Sequence, residues 1–334
     1  MIPPAPGEPS STLDPRMCRS ADGLEGDLTF DLYGRFAAIR AAIAANRTAG
    51  QTFSVLDVGG RGNLTRRFLP EDRVLFLDPN VESSDENFIE GDGCAIPAAN
   101  GSFDWVVSTD VFEHVPQERR SLFLAEQLRT ARLGVILIAP FFTPAVRQAE
   151  INVNENFRVL NDGRDHPWLR EHIQNGLPDA ALFESCLRER GLAFHASGNN
   201  CLRLWQLLIG IEFLVASTCD DGARSALREF NLYYNTVVHP HDHGEPSYRR
   251  VYLIEKSGSL RAPAPGREPI GDELYLEVTR RAVDLAAAAL RAQSRHAPPT
   301  AQSTPAASGA REPQRGRCSR NCWFRRGTCH PIAS

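Results

Sequence analysis

Four short apolar runs of strand length, residues 54–57, 74–77, 103–107 and 135–139, are separated by segments with helical spacing, and this alternation constrains the chain most. Near-continuous apolar strands are buried on both faces, as in parallel sheets covered by helices. A helical pattern starts near Asp31, with Leu32, Phe36, Ile39 and Ile43 at spacings of three and four. Another spans residues 119–132, where Leu122, Phe123, Gln127 and Leu128 lie near one another on a helix. Strand and helix in alternation predict an α/β doubly wound fold.

The 334 residues divide unevenly. Residues 1–27 are rich in Pro and Ser at first and show no sustained period, which predicts a mobile arm. The ordered body is expected over 28–257. Its pattern loosens after Phe141, then resumes as a helix over 179–190 that stops at Gly191. Strands are expected at 192–196 and 250–255. A linker at 258–271 precedes an isolated helix at 272–293, with Leu276, Val283 and Leu290 repeating every seven residues. Residues 294–334 carry Trp323, Phe324 and Ile332 as their large apolar groups, too few to build a core, and read as a disordered Arg-rich tail.

Charge and composition exclude some function classes. The formal net charge is -4, whereas a nucleic-acid domain usually shows a basic stripe, so a nucleic-acid partner is not expected. The positive charge that exists is in the tail, where seven Arg face one Glu. The most apolar stretch, residues 202–216, is interrupted by Arg203 and Glu212. It is shorter than the roughly 20 residues of a membrane span, so it predicts a core helix and no span. No secretory signal is visible at the N-terminus. Cys18, Cys94, Cys186, Cys201 and Cys219 are too scattered for a disulfide framework. A cytoplasmic protein is expected.

A glycine turn follows the first strand directly: Asp57, Val58, Gly59, Gly60, Arg61, Gly62, Asn63. Glycines at a strand-to-helix turn let the backbone approach a ligand that a side chain would block. A dinucleotide fingerprint is weak, because its third glycine would fall on Thr65. Downstream, Asp78 ends the second run, Glu90, Gly91, Asp92, Gly93 and Cys94 follow a short third strand, and Asp110, Glu113 and His114 follow the fourth. This ordered set resembles the class I S-adenosylmethionine-dependent methyltransferases, in the broad small-molecule and glycan group associated with bacterial glycosyltransferases. The resemblance covers about residues 32–256 and is specific in order and spacing from Val55 to Pro140.

The resemblance implies a Rossmann-like, mostly parallel seven-stranded sheet over 28–257 with helices on both faces, and S-adenosyl-L-methionine as cofactor. It implies that Asp57, Gly59, Gly60 and Gly62 flank the methionine part. Asp78 would accept from the ribose hydroxyls, Asp92 with Gly93 and Cys94 would read the adenine, and Asp110 would line the pocket floor. Arg61 and Asn63 depart from the family's glycine pattern. A hydroxyl acceptor needs a base, and His114 is the candidate. A substrate cover is expected at about 141–178, where Trp168, His166 and His172 suit a sugar or another polyhydroxylated small molecule. The alternative is a non-catalytic module of the same fold that docks a glycosyltransferase through its last helix and tail.

Two clusters invite a metal reading. His239, His241 and His243 alternate, so an extended chain would point three imidazoles the same way. Cys318, Cys322, Cys329 and His330 lack the close pairs of a zinc ribbon. The first is expected to be a surface connection and the second a solvated tail; no metal is predicted.

Overall fold

The computed structural model describes residues 23–60, 64–79, 86–218, 220–258, 260–264 and 266–296. Seven strands form one sheet: β1 (Ser54–Val58), β2 (Arg73–Asp78), β3 (Phe88–Glu90), β4 (Phe103–Thr109), β5 (Ala131–Pro140), β6 (Phe194–Cys201) and β7 (Ser247–Glu255). Their order is β3-β2-β1-β4-β5-β7-β6. The first five strands pair in parallel, and β7 runs antiparallel to both β5 and β6. The strand order reverses between β1 and β4, and in open α/β sheets the crevice at such a switch point receives ligands at the carboxyl ends of the strands.

Ten α-helices accompany the sheet among the described residues: α1 (Leu24–Asp27), α2 (Phe30–Ala44), α3 (Leu64–Phe68), α4 (Arg120–Thr130), α5 (Pro144–Leu160), α6 (Pro167–Asn175), α7 (Ala180–Glu189), α8 (Leu202–Thr218), α9 (Asp221–Tyr233) and α10 (Asp272–His296). Successive strand residues point to opposite faces, and both faces are covered. Val55 packs with Phe36, Ile39 and Ile43 of α2, while Leu56 packs with Phe123 and Leu124 of α4. That double covering is why the strands read as continuous apolar runs. A third core lies among the helices, where Val146 and Val153 of α5 meet Leu204, Leu208 and Ile211 of α8.

The structure moves several expected boundaries. The N-terminal arm ends earlier, because Leu24 and Leu28 are buried in the core of α2; residues 1–22 lie outside the described residues. The loosened stretch after Phe141 holds α5 and α6. A Thr143 cap accepting from the Val146 amide, Pro144 in the first turn, and Val146, Ala149, Val153 and Phe157 at spacings of three and four all mark α5. No helix among the described residues is long and apolar enough to cross a membrane.

The last helix is not isolated. It packs on α8 and α9 through Val278, Ala282, Leu285 and Ala289, all buried. Leu276, Val283 and Leu290, whose seven-residue repeat marked the helix in the sequence, face solvent. The repeat followed the wrong face because alanines supply much of the buried one. The tail beyond residue 296 lies outside the described residues. Leu285→Ala is expected to cost about 2–4 kcal/mol in urea denaturation, whereas Val283→Ala should stay within about 0.5 kcal/mol. Equal losses would contradict this packing.

Candidate functional site

At the end of β1, Asp57 is buried to 2% exposure and accepts a hydrogen bond from the Thr65 hydroxyl at 2.5 Å. Burial pushes its carboxyl up to about 6, against the lowering effect of Thr65. Gly59 adopts φ +83°, and a Cβ there would come within 2.4 Å of Val111. At Gly60 a Cβ would meet the Asp57 carboxylate at 2.4 Å and the Phe76 ring at 2.8 Å. Both glycines therefore let the turn cross the strand ends in close contact with its neighbours. Gly62 lies outside the described residues.

Asp78, the last residue of β2, is 3% exposed. Beyond β3, Asp92 accepts from the Cys94 amide at 2.8 Å and from Arg119 at 2.6 Å, and these bonds, the backbone one foremost, hold its carboxyl below its usual value. A Cβ on Gly93 would fall 2.5 Å from Phe123, so the turn rests directly on α4. Cys94 is buried.

Asp110 follows β4 with φ +50°. Its carboxylate binds Arg249 at 2.6 Å and Arg35 at 2.7 Å. Burial alone would raise its pKa, but the two guanidiniums outweigh it and hold the acid ionised. Arg249 also reaches Asp31 at 2.8 Å and Asn200 at 3.0 Å, and Asp31 accepts from the Trp205 indole at 3.1 Å. Asp110 is thus the hub of an ion network linking α2, β4, β7 and α8. The residue expected to line the pocket floor has its carboxylate engaged by these two arginines.

Three residues further on, Glu113 and His114 meet α5 and α6. Glu113 is 1% exposed, and neither oxygen has a hydrogen-bond partner from another residue. Burial first, then the neighbouring Asp110 charge, push its carboxyl up to about 7. His114 Nδ1 lies 2.7 Å from Glu171, and its Nε2 is 3.8 Å from Glu113. Burial opposes the charge on His114, but Glu171 and Glu113 more than compensate and its pKa is raised. His172 Nδ1 lies 2.7 Å from Glu150, which also accepts from the Tyr248 hydroxyl at 2.9 Å. The His172 Nε2 is 3.9 Å from Glu113. The two imidazole rings sit 4.8 Å apart.

Of the expected acceptor residues, His172 belongs to this cluster. Trp168, one turn earlier on the same helix, is 44% exposed and touches His166 edge-on. His166 is corrected to a core residue: it is 4% exposed, stacked on Phe213, and burial depresses its pKa to about 4. The His239, His241 and His243 triplet does not converge. Residues His239–His241 form a 3-10 turn in which His239 packs on Tyr33, while His241 and His243 bond the Glu268 and Arg267 carbonyls. Sequence reasoning passed over Glu150 altogether, and it placed Glu171 beside Trp168 as a group for the acceptor's hydroxyls, because nothing local marks a residue whose partner lies 22 or 57 positions away.

A carboxyl whose folded pKa lies above its unfolded value favours the folded state while protonated. For Asp57 that contribution is full below the unfolded value near pH 4 and is lost as pH rises through about 6. Asp57→Asn keeps an acceptor for Thr65 without the buried charge. It is expected to stabilise the fold by about 2–3 kcal/mol near pH 7.5 and by almost nothing near pH 4. Denaturant titrations at both pH values check this; a gain independent of pH would contradict it.

Residues 56–139, from β1 to the end of β5, match a family described as a methyltransferase domain. Among solved structures the chain is similar to a SAM-dependent methyltransferase from Thermotoga maritima, at 12% identity and TM-score 0.41, covering 68% of this chain and 93% of that one. A SAM-dependent methyltransferase from Archaeoglobus fulgidus follows at 14% identity and TM-score 0.38, covering 70% and 97%. The Burkholderia thailandensis 1,6-didemethyltoxoflavin-N1-methyltransferase, solved with S-adenosylhomocysteine, aligns at 22% identity and TM-score 0.28 over 34% of this chain and 57% of that one. No curated protein matches the sequence. The family match spans the β1 turn, Asp78, Asp92 and the Asp110–His114 loop.

Proposed function

We propose that this chain is an S-adenosylmethionine-dependent methyltransferase whose acceptor is a sugar or another small polyhydroxylated molecule. The observation that carries this reading is the series Asp57, Asp78 and Asp92 at the carboxyl ends of three adjacent parallel strands, within the stretch that matches a methyltransferase domain. The donor set fits the cofactor. Carboxylates suit ribose hydroxyls and an adenine amine, and two glycines at the β1 turn keep side chains off the strand ends. When bound, the cofactor supplies an electrophilic methyl group on a sulfonium.

The chain's own residues orient and polarise. Asp78 accepts from the ribose diol, and Asp92 with the Gly93 and Cys94 backbone reads the adenine. Gly59 and Gly60 leave room for the amino-acid end, while Asp57 braces the turn through Thr65. Alignment of donor and acceptor can supply roughly 7–11 kcal/mol of the barrier. For a hydroxyl acceptor, His114 is the candidate to hold the proton. Glu171 is an acceptor when ionised, so His114 Nδ1 carries the hydrogen and Nε2 keeps a lone pair. Trp168, Glu171 and His172 follow one another at helical spacings of three and one, so an exposed aromatic face lies along the flank that carries Glu171. Such a face stacks on the apolar side of a sugar.

Calorimetry with S-adenosylmethionine and S-adenosylhomocysteine tests the reading directly, and no binding at millimolar concentration would overturn it. Asp78→Ala is expected to weaken both by about ten- to a hundred-fold, the loss of charge-assisted bonds worth roughly 1.5–3 kcal/mol. Trp168→Ala should leave cofactor affinity unchanged and slow transfer to a sugar acceptor. A Trp168→Ala protein that loses cofactor affinity would remove the ring from the acceptor side.

A further inference from the structure

A carboxylate buried to 1% exposure with neither oxygen hydrogen-bonded by another residue is costly, because desolvation of a charge is offset only by a partner. Glu113 is in that position, and the nearest groups aimed at it are the Nε2 atoms of His114 and His172, at 3.8 and 3.9 Å. The His172 Nε2 is itself buried without a partner. Those distances exceed hydrogen bonds. They match two donors that share an ion, since ligands each about 2.0–2.1 Å from one metal can stand up to about 4.2 Å apart.

The outer groups strengthen this geometry. Each imidazole gives its Nδ1 hydrogen to a carboxylate, His114 to Glu171 and His172 to Glu150, both at 2.7 Å. Tyr248 in turn donates to Glu150 at 2.9 Å. A carboxylate on Nδ1 fixes the tautomer with a lone pair on Nε2 and raises its basicity, which is the arrangement that holds histidine ligands on metals. All three ligating groups bring an atom within 4.8 Å of one another. Tetrahedral ligands at about 2.0–2.1 Å from an ion stand about 3.4 Å apart, so the widest pair closes by roughly 1.4 Å on binding.

We propose that Glu113, His114 and His172 form a binding site for a divalent transition-metal ion of the zinc and cobalt class. Two imidazoles and one carboxylate select such an ion over magnesium or calcium, which prefer oxygen ligands. Asp110 is not a ligand, since Arg35 and Arg249 occupy its carboxylate. The side chains of His114 and Glu171 are 23% and 34% exposed, so the cluster opens to solvent on that side and leaves a position for an oxygen ligand, water or the hydroxyl of an acceptor. The functional sense of the ion rests on the methyltransferase reading above. Bound there, it would take from His114 the task of acidifying the hydroxyl, whose proton passes to solvent.

The test uses the full chain, free of affinity tags, stripped with a chelator and titrated with Co²⁺. The expected result is visible ligand-field absorption that saturates at one ion per chain, together with a rise in melting temperature. Glu113→Gln is isosteric and removes a carboxylate that no other residue hydrogen-bonds, so it should fold as the wild type does, yet lose at least a hundred-fold in Co²⁺ affinity. Glu150→Gln and Glu171→Gln, acting through the histidines, should each lose about ten- to a hundred-fold. No absorption in the wild type would overturn the site. So would absorption of thiolate character that persists in Glu113→Gln, because it would assign the ion to the C-terminal cysteines. S-adenosylmethionine calorimetry on Glu113→Gln separates the two readings: retained cofactor binding leaves the methyltransferase standing whatever the cobalt titration gives.

Discussion

The buried ion network around Asp110 is the interaction on which the site depends. Two arginines and two aspartates, Arg35, Arg249, Asp31 and Asp110, neutralise one another at the carboxyl end of the sheet. Taking such charges out of water is expensive, and removing one partner from a buried pair typically costs about 3–5 kcal/mol. The network therefore specifies one arrangement of the elements that carry its members. It holds the loop after β4 in its left-handed start at Asp110 and ties it to α2, to β7 and, through the Trp205 indole, to α8. Glu113 and His114 begin three residues beyond that anchor, so their positions follow from it.

The second support is the helical layer outside the sheet. The buried face of α5, with Val146, Ala149 and Val153, packs into the core shared with α8, which fixes the height of Glu150. Tyr248, stacked on Trp205 with ring centroids 3.4 Å apart, then holds the Glu150 carboxylate from β7. The short α6 carries Glu171 and His172 on adjacent positions, one facing His114 and the other Glu150 and Glu113. Arg120 from α4 clamps the end of α6 by bonding the carbonyls of Asn175 and Gly176. His114 and His172 thus face the Glu113 carboxylate together, and each is locked by a carboxylate of its own.

The turns and acids at the strand ends were legible because their signals are local. A glycine turn after an apolar strand, an acid closing the next strand and a second turn after a third strand are backbone-level features within a few residues of each other. The alternation of apolar runs and helical spacing likewise carried the fold class, since burial on both sheet faces leaves its mark in every strand. The same logic misled at α10. There the large residues Leu276, Val283 and Leu290 outline a face, while the packed face is built from Val278, Leu285 and small alanines that periodicity weighs lightly.

Sequence by itself determined the order of strands and turns, the acids Asp57, Asp78 and Asp92 at the sheet's edge, and the core character of α8, because each depends on residues close together in the chain. Only the tertiary structure decided that Asp110 is consumed by Arg35 and Arg249, that His166 is core, and that His172 and Glu150 close on Glu113 and His114. These outcomes depend on contacts between residues up to 139 positions apart. Whether a titratable side chain ends in a salt bridge, in a core or beside another ligand is set by desolvation and by what the packed helices bring next to it, and no spacing rule encodes that.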